Sequence, residues 1–386
     1  MLERKNNWKA WIYLAPALVL LAIFTFYPII NSIVIAFIEN YHPVESTFEQ
    51  NIAANGGFKM SFKNFITVFH EIEFKNAVKN TLVIALVSVP LSVIISLLIS
   101  VALNSIKPLK GFFQTVYFLP YVTSAMAVAM AFTVMFSNTD AGGGVTYFGP
   151  INTILKSIKI DRPVMKLLDW LNWISGANKT YAEKYASLTE QIDAAIARFG
   201  ESGARYESRV VPLIQDRDAL YDTYRYSYQT LGYIDWVGTK STWATQMFVI
   251  LIYSIWNGLA FKILVFVGGL QGIDKQYYEA AKIDATPKRR VFWKITVPLL
   301  SPLISYIFIT SFMGAFKVYT SIIGLFGNIS SIKSKGLQTF VAVVYGHLGE
   351  GNSELHLAAA ASLMLFLIIL VITGIQGLIN KRHVHY

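Results

Sequence analysis

The chain has 386 residues, of which 54% are hydrophobic and only 15% charged, and its mean hydropathy is +0.47. A soluble domain carries roughly 25% charged residues, so these values exclude an ordinary water-soluble globule and point to a membrane protein. The formal net charge of +10 admits a nucleic-acid partner until the cations are located, while the absence of cysteine excludes disulfides and thiolate metal sites.

Stretches of about 20 apolar residues can cross a bilayer as helices, because each backbone polar group is then satisfied within the segment. Six are expected: Trp11 to Ile38, Leu82 to Leu103, Phe112 to Phe136, Ala244 to Leu270, Leu303 to Phe326 and His356 to Ile379. The first is too long for a signal peptide, contains Pro16 and Pro28, and lacks a small-residue cleavage site, so it reads as a retained signal anchor. The expected fold class is all-α membrane protein, with six transmembrane helices and an external helical-hairpin insert. Residues 1–136 would hold three spans and an external loop, residues 137–243 the insert, and residues 244–386 the last three spans.

Basic residues set the orientation. Arg4, Lys5 and Lys9 precede the first span, Lys107 and Lys110 join the second to the third, six cations lie between Lys275 and Lys294, and Lys381 and Arg382 follow the sixth. With six spans these regions share one side; subtracting Glu3, Asp274, Glu279 and Asp284 leaves 13 − 4 = 9 net positive charges there. The segment from Ser137 to Trp243, on the other side, has 12 basic and 12 acidic residues. The positive-inside rule then puts both termini in the cytoplasm of a cell with this plasma membrane, in contact with lipid. Nucleic acid loses its main support as a partner.

Within the insert, Tyr181, Tyr185, Leu188, Ile192 and Phe199 recur mostly at steps of three and four, as do Tyr206, Val210, Leu213, Leu220 and Tyr224. Gly200 and Gly203 lie between the two sets, so an antiparallel helical hairpin is expected, with Pro212 bending its second arm. It would either pack onto the external loops or form a platform for an external protein.

Between the fourth and fifth spans runs "YYEAAKIDATPKRRVFWKITVPLLSP", from Tyr277 to Pro302. Asp274 can cap a first short helix, Glu279-Ala280-Ala281 are strong helix formers, and Thr286-Pro287 offers an N-cap followed by proline at the first helical position. Phe292 and Ile295 then share a face. This is a small, close-packing alanine surface beside one carboxylate and bordered by cations, suited to docking.

Glu279-Ala280-Ala281, Asp284, Phe292, Ile295 and Pro298, in that order and just before a span, resemble the EAA loop of binding-protein-dependent ABC importer permeases, most closely the maltose-type sugar permease subunits. "NTLVIAL" from Asn80, "FLPYV" from Phe118, "GPINTIL" from Gly149 and "IWNGLAFKILVFVGGLQGI" from Ile255 extend the likeness over most of the chain outside the insert. The resemblance implies that loop 271–302 forms a coupling helix seated in a cleft of a cytoplasmic ATPase. Glu279 would make the charged contact, Ala280 and Ala281 would permit close approach, and Pro298 would set the re-entry into the fifth span. It further implies a second, non-identical permease subunit, two ATPase subunits that hold the ATP and Mg, and an extracellular solute-binding protein. Two positions depart from the family. Ala285 stands where glycine usually follows the aspartate, a turn that costs a non-glycine residue roughly 1 kcal/mol. Asp274 stands near where a proline is usual.

No G-x-x-x-x-G-K-[ST] is present, and Gly142-Gly143-Gly144 lacks the required lysine or hydroxyl, so no nucleotide cofactor is expected on this chain. Nor do the spans hold paired carboxylates, a histidine cluster or H-E-x-x-H, so neither catalytic nor metal residues are expected. Charges within spans are costly and mark a pathway or a partner; Lys262 and Lys317 fall well inside the expected fourth and fifth spans. The segment "FMGAFKVYTSIIGLFG" from Phe312 resembles the family's sugar pathway, without its usual Gly-Gly-Pro ending. Phe312, Phe316 and Tyr319 are expected to stack on sugar rings, opposite Trp256 and Asn257. The function expected is import of an oligosaccharide by alternating access. A permease for another solute is the nearest alternative, and an ion-coupled secondary transporter is opposed by the lack of midspan Asp or Glu.

Overall fold

The computed structural model describes residues 7–39, 41, 60–106, 110–140, 146–147, 149–174, 177–225, 234–238, 241–349 and 354–383. Glu3, Arg4, Lys5, Lys107, Gly142, Gly143 and Gly144 lie outside them, as do the side chains of Lys9, Lys110, Tyr181, Leu220, Tyr224, Lys381 and Arg382. Among the described residues the fold is α-helical apart from a two-residue antiparallel ladder, Thr139–Asp140 with Thr146–Tyr147. Four helices are long and apolar enough to cross a membrane: Trp11–Ala36, Ile72–Ser105, Trp243–Gly272 and Leu355–Leu378. Two bent pairs, Gly111–Val122 with Ala125–Phe136 and Lys288–Leu299 with Ser301–Phe316, bring the number to six if each pair is one span.

The chain forms two compact units. The first comprises residues 1–81 and 338–383. Its N-terminal helix stays continuous past Pro28 because a π-helical turn over Ala22–Phe26, closed by the Tyr27 N–H on the Ala22 carbonyl, precedes the proline and relieves the ring's clash with the turn before it. The end of that helix is satisfied by Asn64, whose Nδ2 donates to the carbonyls of Ala36 and Ile38 at 3.0 and 2.9 Å. Helix Lys63–His70, helix Phe340–His347 and the alanine-rich start of Leu355–His383 complete this unit. His347 bridges two carboxylates there, with Nε2 3.1 Å from Glu71 and Nδ1 3.0 Å from Glu354.

The second unit comprises residues 82–337. The third expected span is not one rod: helix Lys110–Val122 ends and Ala125–Phe136 restarts at 100° to it. Pro120 removes a backbone donor in the last turn, and the Thr123 hydroxyl donates to the Leu119 and Pro120 carbonyls, which would otherwise lead the helix onward. The fifth expected span, Leu303 to Phe326, is likewise two helices, Ser301–Phe316 and Thr320–Phe326. Gly314 weakens the last turn, where the Lys317 N–H closes on the Gly314 carbonyl, and Tyr319 at φ −148° leaves helical conformation.

Helices are brought together where side chains shrink. A Cβ on Gly269 would lie 2.2 Å from a Leu303 methyl, and one on Gly324 would lie 2.7 Å from the Ala129 Cβ. Thr133 Oγ1 donates to the Leu325 carbonyl at 2.9 Å and ties the Gly324 crossing. The insert forms the expected hairpin of Ala177–Phe199 against Ala204–Arg209 and Val211–Arg225, with Gly200 and Gly203 supplying positive φ at its turn. The second arm breaks at Val210, just before Pro212. Its base is pinned by the "GPIN" segment. Asn152 Nδ2 donates to the Ile234 carbonyl at 2.8 Å, the buried Trp236 indole donates to Asn152 Oδ1 at 3.2 Å, and Asn138 Oδ1 accepts from Asn152 and from the Gly149 N–H.

Candidate functional site

Three stretches of chain in the second unit line an open-sided cavity of about 270 Å³. Ile84, Ser88, Val89 and Ser92 come from one wall, Tyr253, Ser254, Asn257, Gly258 and Lys262 from the second, and Ser311, Gly314, Ala315, Val318 and Ser321 from the third. The first two walls follow from helical spacing, since residues three and four apart share a face, and the third runs from Ser301–Phe316 across the break at Val318 to Ser321 of the next helix. Seven of the lining side chains carry a hydroxyl or amide, none is acidic, and Lys262 is the single cation. A second, larger cavity of about 370 Å³ is lined by Tyr117, Phe118, Gly268, Gln271 and aliphatic residues, with no charged group.

Lys262 is buried to 6% exposure, and no hydrogen bond or ion pair joins it to another described residue. Its side chain runs back toward the N-terminus of its helix, as helical side chains do, and its ammonium lies over Gly258. A Cβ at residue 258 would stand 2.7 Å from Nζ and 3.8 Å from Ser92 Oγ. With glycine at 258 the ammonium sits where a larger residue would make it shift, in a space that a serine of the first wall also borders. Ser92 Oγ donates to the Val89 carbonyl at 3.0 Å, and the Tyr253 hydroxyl donates to the Ala125 carbonyl at 2.9 Å, fixing both walls.

At the other end of the Trp243–Gly272 helix the chain turns into two short helices. Asp274 caps the first, Lys275–Ile283, by accepting from the Gln276 N–H at 3.0 Å, as expected. The helix ends at Asp284, and Ala285 takes φ +50°. The Thr286 N–H donates to the Ala281 carbonyl at 2.9 Å and the Ala285 N–H to the Lys282 carbonyl at 3.1 Å. This pair is the Schellman closure that glycine usually supports, so alanine preserves the turn at a strain of roughly 1 kcal/mol. Pro287, not Thr286, occupies the N-cap of Lys288–Val291, because its extended ψ of 142° lies outside the helix. A π-helical turn over Phe292–Thr296 and a turn at Val297–Leu299 carrying Pro298 follow, and the chain bends by 67° into Ser301–Phe316.

The loop divides its surface sharply. Ala281 is buried and the Tyr278 hydroxyl lies 3.2 Å from Thr296 Oγ1, so one face holds the loop to its own chain. Glu279, Ala280, Asp284, Ala285 and Pro298 are exposed, as are Tyr277, Trp293 and Ile283, the last at 85%. Exposed large apolar side chains interspersed with charges are what a partner surface offers.

A family model described as "Binding-protein-dependent transport system inner membrane component" matches residues 74–385, taking in both the cavity and this loop. The chain belongs to that family. It is a multi-pass membrane permease subunit of a transport system. It is 25% identical to a probable ABC transporter permease protein, MG188, of Mycoplasma genitalium, over 94% of this chain and 82% of that one. It is 23% identical to the lactose transport system permease protein LacF of Rhizobium radiobacter, over 97% and 95% of the two chains. In fold it resembles a chain of a bacterial ABC transporter involved in import of the acidic polysaccharide alginate, with a TM-score of 0.60 and 17% identity over 98% and 96% of the chains.

In this permease Asn257 and Lys262 line the cavity. Trp256 stands outside it, half exposed and 5.3 Å from the Phe132 ring. Phe312 and Phe316 are buried core residues, with Phe312 against Phe308 at 4.8 Å. Tyr319 is half-buried at the break between helices. Lys317 is exposed at the C-cap of Ser301–Phe316, where the helix expected to continue through it stops. Two cavity serines, Ser88 and Ser92, carry a signal in the sequence that composition hides. Ser88, Ser92, Ser96 and Ser100 fall at every fourth position of an apolar helix, a spacing that puts them on one buried stripe.

Proposed function

We propose that this chain is one of two non-identical permease subunits of an ATP-driven importer that carries an oligosaccharide, delivered by an extracellular solute-binding protein, through alternating access. The observation that carries the reading is the capped helix Lys275–Ile283, which presents Glu279 and Ala280 outward while Ala281 anchors it. Such a helix can transmit the closure of a cytoplasmic ATPase, where ATP and Mg are bound, to the bend into Ser301–Phe316. Glu279 supplies the charged contact, Asp284 and Ala285 set the turn, and Pro298 sits where the loop re-enters the membrane. Both termini are cytoplasmic in this reading, and the membrane is that of a bacterial cell. Oligosaccharide cargo is supported by the lactose permease relative and by a cavity whose hydroxyls and amide match sugar hydroxyls.

Affinity purification of the tagged chain from native membranes, read by mass spectrometry, tests the assembly. A second permease, an ATPase and a solute-binding protein are the expected companions. Uptake that survives ATP depletion and collapses with the ion gradient overturns the reading in favour of secondary transport.

A further inference from the structure

A buried, unpaired lysine between membrane helices is costly, and proteins keep such a group where it meets an opposite charge. Lys262 has no such partner among the described residues, and no acidic side chain lines its cavity. The surroundings are nevertheless built for it. Gly258 clears the space its ammonium occupies, and Ser92 of another helix lines the same cavity and approaches the same glycine. Ser88, Ser254, Asn257, Ser311 and Ser321 complete a ring of neutral hydrogen-bonding groups. A cavity with one fixed cation, neutral donors around it and empty volume is arranged to receive an anion together with hydroxyls. Its volume, below the roughly 300–1,000 Å³ usual for whole ligands, suits one sugar unit or headgroup of a longer cargo.

We propose that Lys262 is the counter-charge for an anionic group of the transported molecule, a carboxylate or a phosphate, seated in the cavity formed by Ser88, Ser92, Asn257 and Gly258. The inference rests on the reading of the chain as an oligosaccharide importer and adds a specificity-determining residue to it. Charge-assisted hydrogen bonds from the ammonium fix the anionic group, while the serines and Asn257 take the hydroxyls of the same unit.

The complete transporter, permease pair and ATPases in nanodiscs, is titrated with labelled maltotriose, trigalacturonate and glycerol 3-phosphate, and uptake of the same three probes is followed in proteoliposomes carrying the solute-binding protein. The wild type is expected to bind an anionic probe more tightly than maltotriose. That preference should fall by about tenfold or more in Lys262→Gln. It should be retained in Lys262→Arg and reduced in Gly258→Ala, where the new methyl displaces the ammonium without removing its charge. Lysine-dependent binding of trigalacturonate identifies a carboxylate cargo. Lysine-dependent binding of glycerol 3-phosphate without uptake of either saccharide keeps the anion site and overturns the oligosaccharide reading. Maltotriose uptake without anionic preference, or equal losses for neutral and anionic probes in Lys262→Gln, overturns the role of Lys262 and leaves oligosaccharide import standing. Failure of all three probes to bind or enter overturns both.

Discussion

The loop 271–302 and the cavity are the two candidate functional surfaces of the second unit, yet they are written in opposite ways. In the loop, Glu279, Ala280, Asp284 and Pro298 come from one short contiguous segment and are exposed. In the cavity, Ser92, Asn257, Lys262 and Ser311 come from three helices spread over more than two hundred residues of chain and are buried or half-buried. A surface that meets a protein can be carried on one local element, because the partner supplies the rest of the interface. A surface that surrounds a small molecule must be assembled from several elements, because one helix face cannot enclose anything. The loop therefore depends on caps and turns, and the cavity on close helix crossings.

The largest effect is expected at the loop. Glu279→Ala should leave membrane insertion intact while weakening ATPase association by about 2–5 kcal/mol, the range for truncating one partner of a charge pair at a desolvated interface. Co-purification of the ATPase and uptake should fall together, and unchanged association with normal uptake would break the comparison at its first term. Ser92→Leu should do the reverse. Filling the cavity beside Lys262 costs about 1–3 kcal/mol of overpacking and should abolish uptake while the ATPase still co-purifies. Loss of ATPase binding in this variant would mean that the two surfaces are not separable.

A smaller effect belongs to His347, which serves neither surface. Burial works to lower its pKa, but hydrogen bonds and charge from Glu71 and Glu354 outweigh this and raise it above the usual histidine value. The protonated ring is therefore favoured in the folded state. Its stabilisation is fully present below about pH 6.5, the unfolded reference, and is lost as pH rises through the elevated folded value. Thermal unfolding of the detergent-solubilised chain should drop by on the order of a few degrees across that window, and His347→Gln should flatten the dependence. A slope that survives the substitution would assign it to another group. The smallest effect is expected from Ala285→Gly. Relief of positive φ, offset by the entropy glycine adds to the unfolded chain, should change stability by less than about 1 kcal/mol with ATPase association retained. A large loss would show that the alanine methyl itself contacts the partner.

Much of this architecture is legible without coordinates. Long apolar stretches specify helices because an unpaired backbone amide is intolerable in lipid, and the four unbroken spans lie close to where hydropathy puts them. Asp274, Ala285 and the glycines at 200 and 203 act within a few residues of their own position, so their roles as cap and turns follow from local chemistry. The bends after Pro120 and at Lys317 are less visible, since hydropathy averages over about 20 residues and does not register a three-residue break. What the sequence alone determined is the set of helices, their apolar character and the capped loop between two of them. Which side chains meet was decided only in three dimensions: the same helical propensity admits Phe316 buried in the core, Lys317 exposed beside it and Lys262 over Gly258 across from Ser92. Apolar helices in a membrane have no hydrophobic force to select their facing sides, so crossings are set by where glycine and serine let backbones approach. That is a property of pairs of helices and not of any one of them.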